Sequence, residues 1–245
     1  MTADKETLDK IEQLVLRGQT VTVDNQAFSS MRMEPVIFTP RAKTLLVHSL
    51  LGFCAYVNSK FDGAEKKDFM VVVNNEESVD LVSKIYGKDR VRETLLRAEI
   101  GSVDKFDFNT FMCQEEFAIQ FRSLFVPNTK NDTDYVLQFA SKLSGGTSIS
   151  TEDDGITQQV GVKRGVSGNL VGKETARPIV RLAPYRTFRE IKQPESEFLL
   201  RSRIDDNNVP KLALYEADGG AWKISAIHGI AEYIAQNCAD VQIIA

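Results

Sequence analysis

The chain has 245 residues, of which 42% are apolar and 26% charged, and its formal net charge is −4. These values are typical of a globular protein with a sizeable core, and the negative charge argues against a generally basic nucleic-acid-binding coat. The first residues are acidic and lack the basic and apolar regions of a signal peptide, and no apolar run approaches the ~18 residues that would span a bilayer. We therefore expect a protein without membrane segments.

The three cysteines, Cys54, Cys113 and Cys238, lie far apart in apolar surroundings. An odd number of isolated cysteines in such surroundings indicates small buried side chains and not a disulfide framework, a redox pair or a metal site. We expect all three to be buried, reduced thiols in a cytosolic protein.

The N-terminal part, 1–144, is predicted to mix helices and strands. Its first helix is expected over Asp4–Arg17, with an apolar stripe of Leu8, Ile11, Leu14 and Val15 and a stop at Gly18. Strands are predicted at 20–23, 31–38, 69–73, 78–86 and 92–100, and the last three are expected to form an antiparallel meander. Three further helices are predicted in this part. The first spans 39–58 with Leu46, Leu50, Phe53 and Val57 inward, and the second spans 109–125 with Phe111, Ala118, Phe121 and Phe125 inward. The third begins at Asp132 or Thr133 and ends before Gly145.

The polar, turn-rich stretch 145–155 is the candidate boundary, with 156–245 as a second part or as the continuation of one domain. Most of this second part alternates between apolar and polar residues, which is typical of an antiparallel sheet. In Phe198–Ile204, for example, Phe198 and Leu200 fall on one face and Arg201 and Arg203 on the other. Asp218-Gly219-Gly220 predicts a hairpin before Ala221–Lys223, and Ser225 is expected to open a closing helix that ends at Asn237 before a short last strand. The predicted fold class is therefore α+β.

Basic residues are concentrated between Val160 and Ile204, where ten lysines and arginines stand against four acids. Arginine suits planar, two-pronged contacts with carboxylates or phosphates. The segment is interpreted either as a solvated sheet face paired with the acidic remainder of the chain or with a neighbouring subunit, or as a surface for phosphate or an acidic partner. The candidate contact residues are Arg177, Arg181, Arg186, Arg189, Arg201 and Arg203.

No catalytic or cofactor motif is complete. Gly168–Lys173 lacks the glycine and the hydroxyl of a phosphate-binding P-loop, since Ser167 and Glu174 occupy those positions. His48 and His228 have no ligand-spaced neighbours, so zinc is not expected. The acid pairs Glu152-Asp153-Asp154, Asp205-Asp206 and Glu216 with Asp218 could bind a divalent cation or serve a hydrolase, but each lies where Asp is favoured as a turn former. We expect no metal, no cofactor and no enzymatic activity.

Three stretches resemble the YfdQ-like family of uncharacterised phage and prophage proteins. They are 152–160, 184–198 and 216–223, with weaker similarity across the middle helices, so that the resemblance spans about two thirds of the chain. The resemblance implies a phage or prophage origin and the bacterial host cytoplasm. It brings no catalytic residues, because the family has none established.

The sequence thus leads to two functional hypotheses. The first is a non-enzymatic, phage- or prophage-derived cytosolic accessory protein that self-associates into a homo-oligomer, its arginines meeting acidic residues across subunits. The second is a binding module that holds nucleic acid or a phosphorylated small ligand on an arginine-rich sheet face. Neither hypothesis involves a membrane.

Overall fold

The structure is a computed structural model that describes residues 4–18, 20–23, 26–29, 41–63, 65–87, 90–102, 104–127, 131–143, 148–153, 158–163, 170–207 and 209–245. The predicted strand at 31–38 and the helix opening at Thr39-Pro40 lie outside these residues. So do residues 164–169 and both ends of the predicted boundary, 145–147 and 154–155.

The fold is α+β, as the sequence predicts. The helices are α1 (Lys5–Gly18), α2 (Leu50–Ser59), α3 (Gln114–Leu124), α4 (Thr133–Leu143) and α5 (Ala221–Asn237), with a short 3-10 turn at Lys66–Asp68. The first seven strands are β1 (Thr20–Val23), β2 (Gln26–Ser29), β3 (Leu45–Val47), β4 (Phe69–Asn75), β5 (Ser78–Ser83), β6 (Thr94–Glu99) and β7 (Met112–Cys113). The remaining strands are β8 (Ser148–Asp153), β9 (Gln158–Lys163), β10 (Leu170–Ala176), β11 (Ile179–Leu182), β12 (Ser196–Ile204), β13 (Pro210–Glu216) and β14 (Gln242–Ile244).

The contacts divide the chain into two compact units. The smaller unit consists of Met1–Arg41 with Tyr86–Val91. It holds α1 and the antiparallel pair β1–β2, in which Thr20 is opposite Ser29 and Val23 opposite Gln26. The larger unit consists of Ala42–Ile85 with Arg92–Ala245 and holds the other elements.

The larger unit contains a five-stranded sheet in the order β14-β4-β5-β6-β3. Its three central strands are antiparallel, as the predicted meander requires, whereas the two edge strands β14 and β3 are parallel to their neighbours. Alternation along β4 turns Phe69, Val71 and Val73 to the buried face. There they pack in one core with apolar side chains of α2 and α5, among them Phe53 and Ile234.

The helix predicted over 39–58 is wrong in its first part. Leu45–Val47 is a strand that runs parallel to β6, with Leu46 opposite Arg97. The helix begins only at Leu50, where the Ser49 hydroxyl accepts a hydrogen bond from the Gly52 backbone N–H at 3.0 Å. Leucine at 45, 46 and 50 fits a helical period equally well, so only pairing with a strand about fifty residues away decides the outcome.

The larger unit also contains a four-stranded antiparallel sheet in the order β11-β12-β13-β7. Its register places Ile179 opposite Leu199, and Leu199 opposite Tyr215. One face of this sheet packs against α3 and α4 in a core rich in phenylalanine. The rings of this core are those of Phe106, Phe117, Phe121, Phe125, Phe139 and Phe198.

The helix predicted over 109–125 is also wrong at its start. Phe111 precedes the short strand β7, which pairs with β13, and α3 begins at Gln114. Asn109 adopts a left-handed conformation with φ of 62° and donates its backbone N–H to Leu214 O at 2.9 Å. Pairing with β13 therefore outweighs the helical spacing of Phe111 with the later phenylalanines.

The turn Asp218-Gly219-Gly220 leads into a helix and not into the predicted hairpin. Both glycines have positive φ, 61° and 82°, as the sequence suggests, but α5 begins directly afterwards at Ala221. Trp222 is therefore helical and buried, and the helix starts four residues before the predicted Ser225. The predicted end at Asn237 is confirmed, and the predicted last strand is present as β14.

A separate three-stranded antiparallel sheet has the order β10-β9-β8. Strand β8 lies within the stretch 145–155, and β9 and β10 follow that stretch. The domain boundary placed at 145–155 stays a prediction. Strand β10 spans Leu170–Ala176, where a P-loop would have to lead into a helix.

The prediction of three buried cysteines is confirmed for two and wrong for one. Cys54 and Cys238 are buried side by side, with Cys238 Sγ 4.0 Å from Cys54 O, and all three cysteines are free thiols. Burial, together with the hydrogen bond to Cys238, raises the pKa of the Cys54 thiol to about 12. Cys113 is exposed because β7 presents it on the solvent side of its sheet.

This arrangement predicts selective alkylation of Cys113. At pH 8 a thiol with a pKa near 12 is a thiolate in only about one molecule in ten thousand, and burial blocks the reagent as well. We expect iodoacetamide to modify the native protein once per chain, at Cys113, and the urea-unfolded protein three times. Peptide mass spectrometry measures both values, and early modification of Cys54 or Cys238 would contradict the structure.

Candidate functional site

The structure distributes the six candidate arginines over several environments. Arg181, Arg201 and Arg203 lie on the outer face of the four-stranded sheet, opposite the buried Phe198 and Leu200, as their alternation predicts. Arg177, Arg186 and Arg189 lie elsewhere. The six residues therefore do not form one continuous surface, and a contact of any of them with phosphate or a subunit stays a prediction.

Asp132, just before α4, is the partner of Arg177 and Arg181. Arg177 Nη1 is 3.0 Å from Asp132 Oδ1, and its guanidinium lies 4.7 Å from the centre of the Tyr135 ring. The backbone N–H of Arg181 donates to Asp132 Oδ2 at 2.8 Å, while its side chain reaches Glu197 at 3.4 Å. Both arginines thus meet acidic residues of the same chain, in agreement with one of the interpretations drawn from the sequence.

Arg186 is buried and forms a network with Ser196, Glu216, Asp218 and Trp222, which we call the Arg186 network. Its guanidinium donates to Glu216 Oε1 at 2.7 Å and to the Ser196 hydroxyl, and it lies 3.8 Å from the Trp222 ring centre. Ser196 in turn donates to Asp218 Oδ2 at 2.6 Å. Burial lowers the pKa of Arg186 to about 10, so the group stays cationic at neutral pH.

The Arg186 network stabilises the corner between the four-stranded sheet and the β4–β5 turn of the five-stranded sheet. Asp218 Oδ1 accepts the backbone N–H of Gly220 at 3.0 Å and so fixes the turn into α5. At the same corner, Lys223 Nζ pairs with Glu76 Oε1 of the β4–β5 turn at 2.8 Å. Glu216 therefore pairs with the buried Arg186 cation, and Asp218 holds the turn before α5. The second contact fits the interpretation of Asp218 as a turn former.

The outer face carries a compact group of basic and aromatic side chains, Phe111, Arg203, Lys211 and Tyr215, which we call the outer-face cluster. Arg203 is directly opposite Lys211 across β12 and β13. The Arg203 guanidinium lies 4.1 Å from the Phe111 ring centre, and the Phe111 and Tyr215 rings meet edge to face at 6.3 Å. Ala213 lies between Lys211 and Tyr215 on β13 and is buried.

The sequence pointed to Arg203 but missed the two aromatic residues and Lys211 as its neighbours. Phe111 was assigned to a helix, and Tyr215 was a strand residue without a specified face. The sequence offers no local signal for this strand, because Phe111, Met112 and Cys113 are all apolar and only the structure shows Met112 buried and Cys113 exposed. Cross-strand register, which brings the four side chains together, cannot be read from the segments one at a time.

An open groove of about 650 Å³ lies between α5 and the segment 190–195. Glu190, Glu195, Glu232, Lys192 and His228 line it. The Glu190 carboxylate already has a partner within the chain, because its Oε1 accepts a hydrogen bond from the Leu51 backbone N–H at the start of α2, at 3.2 Å. Across the described ranges, no group of three or more His, Cys, Asp or Glu side chains is placed to hold a metal ion.

A second exposed surface is the apolar stripe of α1. Leu8, Ile11, Leu14 and Val15 are each more than half exposed, at 55%, 51%, 61% and 54%. The helix itself is formed as predicted to within one residue at each end, with Asp4 Oδ1 accepting the backbone N–H of Glu6 at 3.0 Å. A helix of this length is marginal in water unless its apolar face is covered, so the stripe is a natural contact surface.

No family model, no curated protein and no solved structure matches the chain. Among the residues that the structure describes, no helix is long and apolar enough to cross a membrane.

Proposed function

We propose that the protein is a non-enzymatic, self-associating cytosolic protein of phage or prophage origin, and that α1 joins its copies. The exposed apolar stripe of α1 is the observation that carries this proposal. The origin and the bacterial cytoplasm follow from the resemblance of 152–160, 184–198 and 216–223 to phage and prophage proteins. The non-enzymatic part of the proposal rests on the sequence, in which no catalytic motif is complete.

The spacing of the stripe suits a second copy of the same helix. Leu8, Ile11 and Val15 are separated by three and then four residues, which is the repeat of a two-stranded coiled coil, and Leu14 widens the contact. The side chains between them are balanced in charge: Lys5, Lys10 and Arg17 against Glu6, Asp9 and Glu12. Helices that lie on membranes are instead rich in Lys and Arg, so charge favours a protein partner.

The size of the stripe sets the expected affinity. Completing the burial of a half-exposed Leu, Ile or Val side chain contributes roughly 1 kcal/mol, and a pair of helices buries eight of them. Association costs roughly 4 kcal/mol or more in lost freedom. We therefore expect a dissociation constant in the micromolar to millimolar range and an oligomer that forms as the protein is concentrated.

Ile11→Glu is expected to abolish this association, because it places a charge in the centre of the stripe. The matched control is Gln13→Glu, which adds the same charge on the opposite side of α1. Light-scattering mass on a sizing column, from about 10 µM to the highest soluble concentration, should rise for the parent protein and for Gln13→Glu and stay monomeric for Ile11→Glu. Equal masses for the two variants, or a parent protein that stays monomeric at every concentration, would contradict the proposal.

A further inference from the structure

We propose that the outer-face cluster is a binding site for single-stranded nucleic acid, in which Arg203 and Lys211 hold the phosphates and Phe111 and Tyr215 stack on bases. This inference is independent of the self-association through α1. It assigns a ligand to four side chains that lie within one sheet face and that come from three different strands or their flanks.

The first observation is the juxtaposition of two positive charges. Like charges directly opposite each other on neighbouring strands destabilise a sheet, and Arg203 and Lys211 are such a pair. Lys211 Nζ is 3.6 Å from Asp205 Oδ2, but Asp205 also holds its own turn by accepting the backbone N–H groups of Asn207 and Val209. Among the described residues Arg203 meets an aromatic ring and no carboxylate. A phosphate across the pair would relieve the repulsion.

The second observation is the flat surface beside these charges. The guanidinium of Arg203 lies over the Phe111 ring, 4.1 Å from its centre, and the Arg203 side chain is exposed. Phe111 and Tyr215 are half-buried, which anchors the rings while leaving part of each accessible. Base stacking on aromatic rings and on arginine planes is the general way in which sheet surfaces hold single strands, and it needs no particular base sequence.

These features favour a single strand over a duplex. In a duplex the faces of the bases stack on one another inside the helix, so the aromatic rings of a sheet face cannot stack on them. The cluster also offers only two cations within a chain of net charge −4, which is too little for a duplex held by its backbone alone. Two neutralised phosphates of a single strand predict a slope of about −1.4 for log K against log salt, or about a sevenfold loss of affinity between 50 and 200 mM salt.

The test is fluorescence anisotropy of a labelled 20-nucleotide oligothymidine against the parent protein, Phe111→Leu, Arg203→Gln and the matched control Arg122→Gln. Arg122 is an exposed arginine on α3, away from the outer face. We expect Phe111→Leu to weaken binding at least fivefold, which is the effect of losing one stacked base. Arg203→Gln should weaken it similarly and reduce the salt slope by about 0.7, while Arg122→Gln should bind like the parent.

Cys113 supplies a second measurement that does not depend on mutation. It lies directly opposite Lys211 and is exposed, so bound oligothymidine should slow its alkylation several-fold, with the buried Cys54 and Cys238 as internal references. Unchanged affinity in Phe111→Leu and Arg203→Gln, tighter binding of the same sequence as a duplex, or displacement by millimolar inorganic phosphate at constant ionic strength would each overturn the assignment. The Ile11→Glu variant should bind as the parent does, which separates this site from self-association.

Discussion

Phe125→Ala is expected to lower the free energy of unfolding by about 4 kcal/mol, the largest effect of any single truncation that we predict. Phe125 is 1% exposed and lies at the centre of the phenylalanine-rich core. Its ring stacks on Phe121 with centres 4.4 Å apart and meets Phe106 edge to face at 5.1 Å. Alanine would remove these contacts and leave a cavity that the surrounding rigid rings cannot close.

Urea unfolding followed by tryptophan fluorescence and circular dichroism measures this loss. The matched control is Ile119→Ala on α3, because Ile119 is 61% exposed and should lose little. A loss of about 4 kcal/mol is roughly a quarter or more of the stability of a typical domain, so the variant should also unfold at a clearly lower temperature. A loss below about 1 kcal/mol would mean that α3 does not pack on the sheet as described.

Arg186→Met is expected to cost about 3 kcal/mol of stability. Methionine keeps much of the apolar volume but removes the cation that faces Glu216, Ser196 and the Trp222 ring. The control is Arg189→Met, since Arg189 also lies over an aromatic ring, 3.7 Å from the centre of Tyr185, but is exposed. Urea unfolding should separate the two variants, and equal losses would contradict a special role for the buried guanidinium.

The effect of Arg186→Met should shrink in acid. Burial alone would raise the pKa of Asp218, but hydrogen bonds from Ser196 and Gly220 and the charge of Arg186 lower it overall. A carboxyl group whose pKa is lower in the folded state stabilises the protein above its unfolded pKa, and this contribution is lost as the pH falls below about 4. The parent protein and Arg186→Met should therefore differ less at pH 3 than at pH 7, which the same urea titrations can show.

Local periodicity predicted most elements whose partners lie nearby in the chain. The meander of β4, β5 and β6, the helix α4 and the strands β11 to β13 were all expected close to where they lie. The errors at Leu45–Val47 and at Phe111 share one cause. Both are short apolar stretches that fit a helix, and distant strands, β6 and β13, pair with them.

The candidate site was predictable only in part for the same reason. Alternation correctly separated Arg201 and Arg203 from Phe198 and Leu200, because that rule acts within one strand. It could not show that Arg177 meets Asp132, or that Arg186 turns inward onto Trp222, since those contacts join elements far apart in the chain. Counting basic residues therefore identified a charged segment but not the surface on which the charges lie.

The parallel pairing of β14 with β4 has a consequence for synthesis on the ribosome. Phe69, Val71 and Val73 emerge early, but α5 and β14, which cover and border them, follow about 150 residues later. At roughly 5–20 residues per second, this interval is on the order of 10–30 s. During that time the apolar face of the nascent sheet lacks its final cover, so this half of the protein can complete its folding only after translation has passed α5.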